Sequence, residues 1–494
     1  MRSFRAAGFL LAALPLAAAE PALTHLYPVA GQQGTTVSVS VAGKIEPWPP
    51  KIWVDAPGID FNAGEAKGKV SVEIAKDAAP GPHLVRFYNE QGASAPRFFI
   101  VSTERELPEV EPNNDFRTPQ KIANLPATIS GRLDKAGDVD CFAVTLKSGE
   151  RVTARVDAYV LGSTFDAMIR IVDPDGTPLA FNHDGRTLDP LLTWEAPRDG
   201  TFIVQLMGFA YPATAAVGLT GGEGCVYRLH LAAGVPPPEP GAAGEISEQE
   251  PNDSAANAQA IAVPTTIAAC IQTAGDEDRF TFSAVKQRAY EFKVASAREG
   301  SPLDAWLKIE NKDDKELARN DDAPLSRDPQ LTWTAPADGT FTVVIGDLTH
   351  HGGPAFTYRL ALAEAVPSVT ATTDTHSIVV PPGKTADVKV ILKRANGFKA
   401  KLQLAAKNLP EGVTAPDVDI AEKAGDATLK LIAAAEAMPT GQPIQLFLRD
   451  PESGVEHPVR FLMTATSENN GVPAGYTELV IDSTDQLWLT VTAK

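Results

Sequence analysis

The feature that most constrains this chain is an internal repeat. The segment Glu109-Val-Glu-Pro-Asn-Asn114 returns as Glu248-Gln-Glu-Pro-Asn-Asp253. Further along, Gly137-Asp-Val-Asp140 returns as Gly275-Asp-Glu-Asp278. Because self-similarity at a fixed spacing sets the architecture of a chain, these 494 residues are expected to contain two copies of one fold.

The two copies differ in length near their ends. Equivalent residues lie 138–139 positions apart through most of the repeat, but Tyr227 and Tyr358 are only 131 positions apart. The first copy therefore carries about eight extra residues around Tyr211 to Gly224. This stretch is rich in Gly, Ala and Thr, so it is predicted to be a surface loop.

Within each repeat, apolar residues alternate with polar ones, as at Phe280 and Phe282. This period of two predicts strands, and turn pairs such as Asp199-Gly200 separate the strands at intervals of about 8–12 residues. We therefore expect about eight antiparallel strands in each repeat, arranged as a jelly-roll-type β-sandwich.

The sequence on both sides of the repeats has the same character. Alternating runs such as Val37-Ser-Val-Ser-Val41 and Leu487-Trp-Leu-Thr-Val491 predict immunoglobulin-like sandwiches at the two ends. The predicted fold class is all-β, with four consecutive β-sandwich domains. Their predicted bounds are residues 20–103, 104–233, 248–364 and 365–494, with a Pro/Gly-rich linker at 234–247.

The first nineteen residues have the pattern of a signal peptide. Arg2 and Arg5 precede a short apolar core, and Ala17 to Ala19 offer the small residues that a signal peptidase accepts. Cleavage after Ala19 would leave Glu20 first. The alternative is a buried N-terminal strand or helix. The apolar core is too short to span a bilayer, so we expect an exported chain that is periplasmic, surface-held or extracellular.

The charge and the cysteine content argue against two classes of protein, namely nucleic-acid-binding proteins and disulfide-built scaffolds. A net charge of −18 repels phosphate backbones, so no nucleic-acid partner is expected. Three cysteines are too few for a disulfide scaffold. Cys141 aligns with Arg279 and is expected to face solvent, whereas Cys225 is expected on the face of Tyr227, which argues against a bridge between the two cysteines.

Acidic residues are clustered at two places in each repeat. Glu109, Glu111 and Asn113 occupy alternate positions, as do Asp138 and Asp140, and alternate side chains of an extended segment share a face. Brought together, these hard oxygens would suit Ca²⁺. The alternative is that Asn and Asp only form turns while the Glu side chains are solvated. A further group, Asn320-Asp321-Asp322 with Asp328, is interpreted as a polar loop.

The ordered set of motifs resembles the bacterial pre-peptidase C-terminal (PPC) domain, an accessory β-sandwich of secreted proteins. The resemblance covers residues 104–232 and 245–363, and Pro28 to Val37 resembles TIG-type immunoglobulin-like modules. It implies calcium ligands at matching positions: Glu109, Glu111, Asn113, Asn114, Asp138 and Asp140 in the first repeat, and Glu248, Glu250, Asn252, Asp253, Asp276 and Asp278 in the second. With neutral Asn114 in place of Asp253, the first site is expected to be weaker unless Asp115 substitutes.

Motifs of known catalytic chemistry are missing from the sequence. None of the eight histidines lies in a His-Glu-x-x-His helix, and no Gly-x-Ser-x-Gly elbow or phosphate-binding Gly-rich loop occurs. The adjacent pair His350-His351 would point to opposite faces of a strand. We therefore expect a non-enzymatic protein that binds an extracellular protein or polysaccharide. The alternative is an accessory component of a secreted peptidase system.

The predicted leader yields a direct test. Mature protein recovered from its native host should begin near Glu20 on N-terminal sequencing, because the peptidase cleaves after small residues. Recovery of protein that still begins at Met1 would refute the export prediction.

Overall fold

A computed structural model describes residues 19–183, 189–210, 218–234, 245–299, 301–323, 327–465 and 479–493. The predicted leader up to residue 18, residues 235–244 of the predicted linker, and residues 211–217 of the predicted insertion lie outside this part of the chain. The described residues form forty strands, two three-residue 3-10 helices and no α-helix. The predicted all-β fold, with several β-sandwiches in sequence, is confirmed.

The first sandwich has two facing sheets. Their orders are β1-β3-β6-β5 and β2-β9-β7-β4, with β8 paired to β7. Valines and phenylalanines at alternate strand positions fill the space between them, and Val39, Val72 and Phe87 are fully buried. The strands are β1 (Ala22–Tyr27), β2 (Ala30–Gln32), β3 (Thr36–Lys44), β4 (Lys51–Val54), β5 (Ile59–Ala63), β6 (Lys69–Ile74), β7 (Gly81–Asn89), β8 (Gly92–Ala93) and β9 (Arg97–Ser102).

The first repeat has ten strands and a 3-10 helix at Tyr159–Leu161. The strands are β10 (Glu106–Pro108), β11 (Gln120–Lys121), β12 (Ala127–Arg132), β13 (Asp140–Leu146), β14 (Arg151–Asp157), β15 (Phe165–Val172), β16 (Pro178–Asn182), β17 (Leu191–Glu195), β18 (Gly200–Ala210) and β19 (Val226–Ala233). The sheet orders are β10-β12-β19-β14-β17 and β11-β13-β18-β15-β16. The two strands beyond the predicted eight, β10 and β11, are too short to show a period of two.

The second repeat reproduces this topology strand for strand, with sheets β20-β22-β29-β24-β27 and β21-β23-β28-β25-β26 and a 3-10 helix at Ala297–Glu299. Its first strand lies within the segment predicted as linker. The strands are β20 (Ile246–Ser247), β21 (Gln259–Ala260), β22 (Thr265–Cys270), β23 (Glu277–Ala284), β24 (Ala289–Ala295), β25 (Ala305–Glu310), β26 (Glu316–Asn320), β27 (Gln330–Thr334), β28 (Gly339–Asp347) and β29 (Thr357–Glu364).

In the last sandwich the strands are linked by hydrogen bonds into one 11-stranded sheet, whose main strand order is β31-β40-β37-β38-β30-β32-β36-β34. Strand β33 pairs with β35 and β37, and β39 pairs with β38. The strands are β30 (Ser368–Thr373), β31 (Ser377–Val380), β32 (Thr385–Ala395), β33 (Leu402–Lys407), β34 (Val413–Thr414), β35 (Val418–Ile420), β36 (Asp426–Ala433), β37 (Thr440–Arg449), β38 (Glu456–Ala465), β39 (Leu479–Thr484) and β40 (Leu487–Val491).

The first repeat packs against the first sandwich. Leu161 and Val226 of the repeat belong to the buried apolar cluster of that sandwich. Beside them, the Arg132 guanidinium lies 4.7 Å from the centre of the Tyr27 ring, within the range of a cation–π contact. The two modules therefore share a continuous apolar core at this contact.

The last sandwich returns to contact the first one. Arg86 is fully buried and donates hydrogen bonds to the backbone oxygens of Ser94, at 2.8 Å, and of Gln486, at 2.9 Å. The ring of Trp488, which is 1% exposed, lies 4.6 Å from that of Tyr88. A buried guanidinium is costly unless its donors are satisfied, so this contact depends on the carbonyl of Gln486.

The three cysteines are free thiols. Cys225 lies in the core beside Tyr227, as expected, but the prediction that Cys141 faces solvent is wrong. Cys141 does lie on the outer face of its sheet, yet it is fully buried because Phe116 packs over a small apolar cluster of Cys141, Val172 and Ile203. Among the described residues, no helix has the length and apolarity of a membrane span.

The contact between the end modules can be tested with Arg86→Met. Loss of the guanidinium leaves two buried carbonyls without donors, at about 1–3 kcal/mol for each. Hydrogen exchange should therefore become faster in β7 and in β40 together, although the two strands lie far apart in sequence. Arg117→Met, at an exposed arginine, is the control. Faster exchange confined to β7 would contradict the docking.

Candidate cation site

Each acidic motif lies where the chain crosses between the two sheets of its repeat. Strand β10 pairs in parallel with β12 of one sheet, and β11 pairs in parallel with β13 of the other. Residues 109–119 connect β10 to β11, with the acidic motif at 109–114, and Asp140 is the first residue of β13. The same arrangement recurs around β20 to β23. The crossing brings the Glu-x-Glu-Pro-Asn segment next to the Gly-Asp-x-Asp turn.

In the first repeat, a tyrosine hydroxyl lies between two carboxylates. Tyr227 Oη is 2.6 Å from Asp140 Oδ2 and 2.8 Å from Glu109 Oε1. A phenol has one proton to donate, so it cannot donate to both carboxylates. Since Asp140 is fully buried, the second contact requires either a proton on one of the acids or a cation beside them.

Two buried oxygens at this site have no hydrogen-bond partner, namely Asn113 Oδ1 and Asp140 Oδ1. Both residues are 0% exposed, and the side-chain amide nitrogen of Asn113 donates a hydrogen bond to Glu109 Oε1 at 3.2 Å. Buried polar atoms are rarely left unpaired because desolvation costs about 1–3 kcal/mol each. Unpaired carbonyl and carboxylate oxygens are the donor set that Ca²⁺ prefers.

The second repeat has the same arrangement with more unpartnered atoms. Tyr358 donates to Asp278 Oδ2 at 2.6 Å. Asp278 Oδ1, Glu248 Oε2 and both side-chain polar atoms of Asn252 are buried and without partners. Asn252 and Asp278 are 0% exposed, so water cannot satisfy them at the surface. The residues present therefore fit a hard cation at least as well as those of the first repeat.

The structure brings together most of the predicted ligands. Oxygens within 4.8 Å of one another come from Glu109, Glu111 and Asp140 in the first repeat. In the second repeat they come from Glu248, Glu250 and Asp278, and from an outer group of Glu250, Asp253 and Asp276. The second repeat therefore has two overlapping groups of three carboxylates, whereas the first has one among the described residues.

Asn114 explains this difference. Its amide donates to Asp138 Oδ1 at 2.6 Å, and the backbone N–H of Asp134 donates to Asp138 Oδ2 at 2.6 Å. Both carboxylate oxygens of Asp138 therefore accept hydrogen bonds from neutral donors. Asp115, the suggested substitute, pairs with Arg117 at 3.1 Å and is in none of the carboxylate groups found among the described residues.

Burial dominates the electrostatics of both sites. It raises the pKa of Asp140 to about 10, with hydrogen bonding and repulsion from Glu109 as further causes. Burial likewise raises the pKa of Asp278 to about 9, and the carboxylates of Glu248 and Asp276 add to the shift, whereas the bond from Tyr358 opposes it. Without a cation, burial therefore favours the protonated form of each of these two acids.

Sequence reasoning missed the roles of two kinds of residue. Tyr227 and Tyr358 were recognised only as matched positions, although their hydroxyls hold the buried aspartates. Asp328, interpreted as part of a polar loop, is buried and accepts the backbone N–H groups of Ser296 and Ala297 at 3.0 and 2.7 Å. Asp189 does the same in the first repeat. The recurrence of Asp-Pro at both places was the available signal.

Comparisons with known proteins give partial similarities. No protein-family model matches the chain. A probable subtilase-type serine protease of Deinococcus radiodurans is 31% identical over 98 residues, which is 19% of this chain and 14% of that protein. The pre-peptidase C-terminal domain of a Bacillus anthracis collagenase is 15% identical and matches over 23% of this chain and 99% of its own, at a TM-score of 0.19.

A third similarity is to SGBP-B from a xyloglucan utilization locus in Bacteroides uniformis. It is 9% identical, covers 70% of this chain and 74% of its own, and has a TM-score of 0.12. TM-scores this low carry no argument about function.

The raised pKa values predict how pH affects the metal-free protein. Asp140 and Asp278 are protonated when folded but ionised when unfolded between about pH 4 and pH 9, so the folded state binds more protons there. The free energy of unfolding should therefore fall as pH rises, by roughly 1.4 kcal/mol per pH unit for each acid. Melting curves in chelator at pH 6, 7 and 8 measure this. Replacing each acid by Asn should flatten the dependence.

Proposed function

We propose that this chain is an exported, non-enzymatic binding protein built from tandem PPC-like repeats between immunoglobulin-like modules. Its partner is an extracellular protein or polysaccharide, and calcium stabilises the repeats. The leader pattern of residues 1–19 supports export. The β-sandwich modules along the chain support a scaffold that presents surfaces.

One observation supports the calcium part above all others. Both repeats bury an aspartate whose second oxygen has no partner, beside a buried asparagine whose carbonyl oxygen is also unpaired. A cation there would supply the missing partner for both atoms. Glu109, Glu111, Asn113 and Asp140 would hold it in the first repeat, with Glu248, Glu250, Asn252 and Asp278 as their counterparts in the second.

A second candidate function is an accessory role in a secreted peptidase system. The partial match to a probable subtilase-type serine protease of Deinococcus radiodurans favours it. The matched segment is 98 residues, and the chain covers 14% of that protein. A genomic neighbour that encodes a peptidase, and its co-purification with this chain, would distinguish this role from independent binding.

Calcium titration of the full, chelator-treated chain tests the proposal. Binding only to the folded state should raise its free energy of unfolding by about 2.7 kcal/mol when Ca²⁺ exceeds Kd a hundredfold. Calorimetry should resolve a tighter and a weaker phase. Asp278→Asn should remove the tighter phase and Asp140→Asn the weaker one. Mg²⁺ should substitute poorly because it needs a smaller octahedral site.

Two further variants provide controls. Asn114→Asp restores the carboxylate that the first repeat lacks, so it should strengthen the weaker phase. Asp321→Asn removes an exposed carboxylate outside the carboxylate groups, so it should change neither phase. A wild-type melting curve unmoved by millimolar Ca²⁺ would leave the motifs as turns and refute the calcium proposal.

A further inference from the structure

Strand β17, residues Leu191–Glu195, is an edge strand of the first repeat. One of its edges is paired with β14. The backbone N–H of Val156 donates to the backbone oxygen of Pro190 at 3.1 Å, and the backbone N–H of Ala196 donates to the backbone oxygen of Glu150 at 2.8 Å. Backbone groups of alternate residues in a strand point to the same edge. Residues 190, 192, 194 and 196 therefore face β14, and residues 191, 193 and 195 face away from it.

The outer edge of β17 has free hydrogen-bonding groups. The backbone N–H of Leu191 donates a hydrogen bond to Asn182 Oδ1 at 3.1 Å. Within the part of the chain that the structure describes, the N–H and C=O groups of Thr193 and the N–H group of Glu195 have no partner. These groups have the spacing that an added strand would need.

This edge forms one wall of a cleft of about 1330 Å³ between the two repeats. Glu299 and Thr357 contribute to the opposite wall. Their counterparts in the first repeat are Leu161 and Val226, which the first sandwich covers. The second repeat thus has two polar residues at positions where the first repeat has two apolar residues packed against the first sandwich.

The size of the cleft fits a short extended peptide. A strand residue occupies about 160 Å³, given a rise of about 3.4 Å, a strand spacing of about 4.8 Å and a sheet spacing of about 10 Å. The cleft would therefore hold about eight such residues. The half-buried side chains of Leu191 and Leu192 provide apolar positions along it.

The chemistry of the walls excludes other occupants. Tyr358 is the one aromatic residue among the described residues that line the cleft, and it is 2% exposed, so no ring is available to stack on a sugar. The lining arginines are in ion pairs: Arg151 with Glu195 at 2.9 Å, Arg327 with Asp304 at 3.6 Å, and Arg359 with Glu245 at 2.8 Å. Glu248 and Glu250 also line the cleft. An acidic polymer would therefore gain little from the paired arginines and would be repelled by the two carboxylates.

We propose that this cleft binds an extended segment, without acidic residues, of a partner protein, and that this segment adds as a strand to the free edge of β17. The inference rests on the proposed function as a binding protein and specifies the class of partner. Recognition depends on the backbone of the segment through the N–H and C=O groups of Thr193. Glu248 and Glu250 line the cleft and also belong to the second cation site, so binding is measured both with Ca²⁺ and with chelator.

Peptides selected from a random linear library on the full chain serve as the probe. Their Kd is measured by fluorescence anisotropy on the wild type, Thr193→Pro, Thr193→Val and Thr332→Pro. Proline removes the outward N–H without breaking a bond to β14, whereas valine keeps the N–H and loses only the hydroxyl. Thr332 holds the equivalent edge position of β27, which does not line the cleft.

Strand addition predicts that Thr193→Pro weakens binding about tenfold or more, while Thr193→Val and Thr332→Pro bind like the wild type. Methylating alternate peptide nitrogens should weaken binding to the wild type by a similar factor, which keeps the test valid if Thr193→Pro fails to fold. Equal Kd values for all variants, no effect of methylation, or no selected peptide would overturn the inference. Because titrations run with Ca²⁺ and with chelator, this failure is distinguishable from failure of the calcium proposal.

Discussion

Each repeat is organised around a buried aspartate that a tyrosine from the opposite sheet holds in place. In the first repeat, Asp140 begins β13 in one sheet and Tyr227 lies on β19 in the other, so their contact joins the two sheets at the end of the sandwich. Removing a carboxylate from water is costly unless a proton, a hydrogen bond or a cation compensates. That requirement determines the rest of the site, because the crossing segment must bring further oxygens to the same place.

The two copies show how one scaffold supports different surroundings. The tyrosine–aspartate contact is kept in both, at Tyr227–Asp140 and Tyr358–Asp278. Residues around it differ: Asn114 donates a hydrogen bond to Asp138 in the first copy, whereas Asp253 extends the carboxylate group of the second. Differences of one or two side chains thus separate a partly satisfied site from one with more unpaired oxygens.

Much of this structure was predictable from local patterns. Alternation of residues predicted the strands, and the alternate spacing of Glu109 with Glu111 and of Asp138 with Asp140 indicated two acidic clusters, because both patterns depend on neighbours in sequence. Contacts between distant residues were not predictable. Nothing near Cys141 in sequence indicates that Phe116 covers it, and no pattern joins Tyr227 to Glu109. The short strands β10 and β11 were missed because two or three residues show no period.

The contact of Arg86 with the backbone of Gln486 limits how the modules of this chain can be exchanged. A β-sandwich that touches only its sequence neighbours can be duplicated or replaced as a unit. The first sandwich, however, is matched to the first repeat through Leu161 and to the last sandwich through Trp488. A recombination that replaced the first sandwich alone would remove the groups that Leu161 of the first repeat and Trp488 of the last sandwich pack against. These three modules must therefore be inherited together.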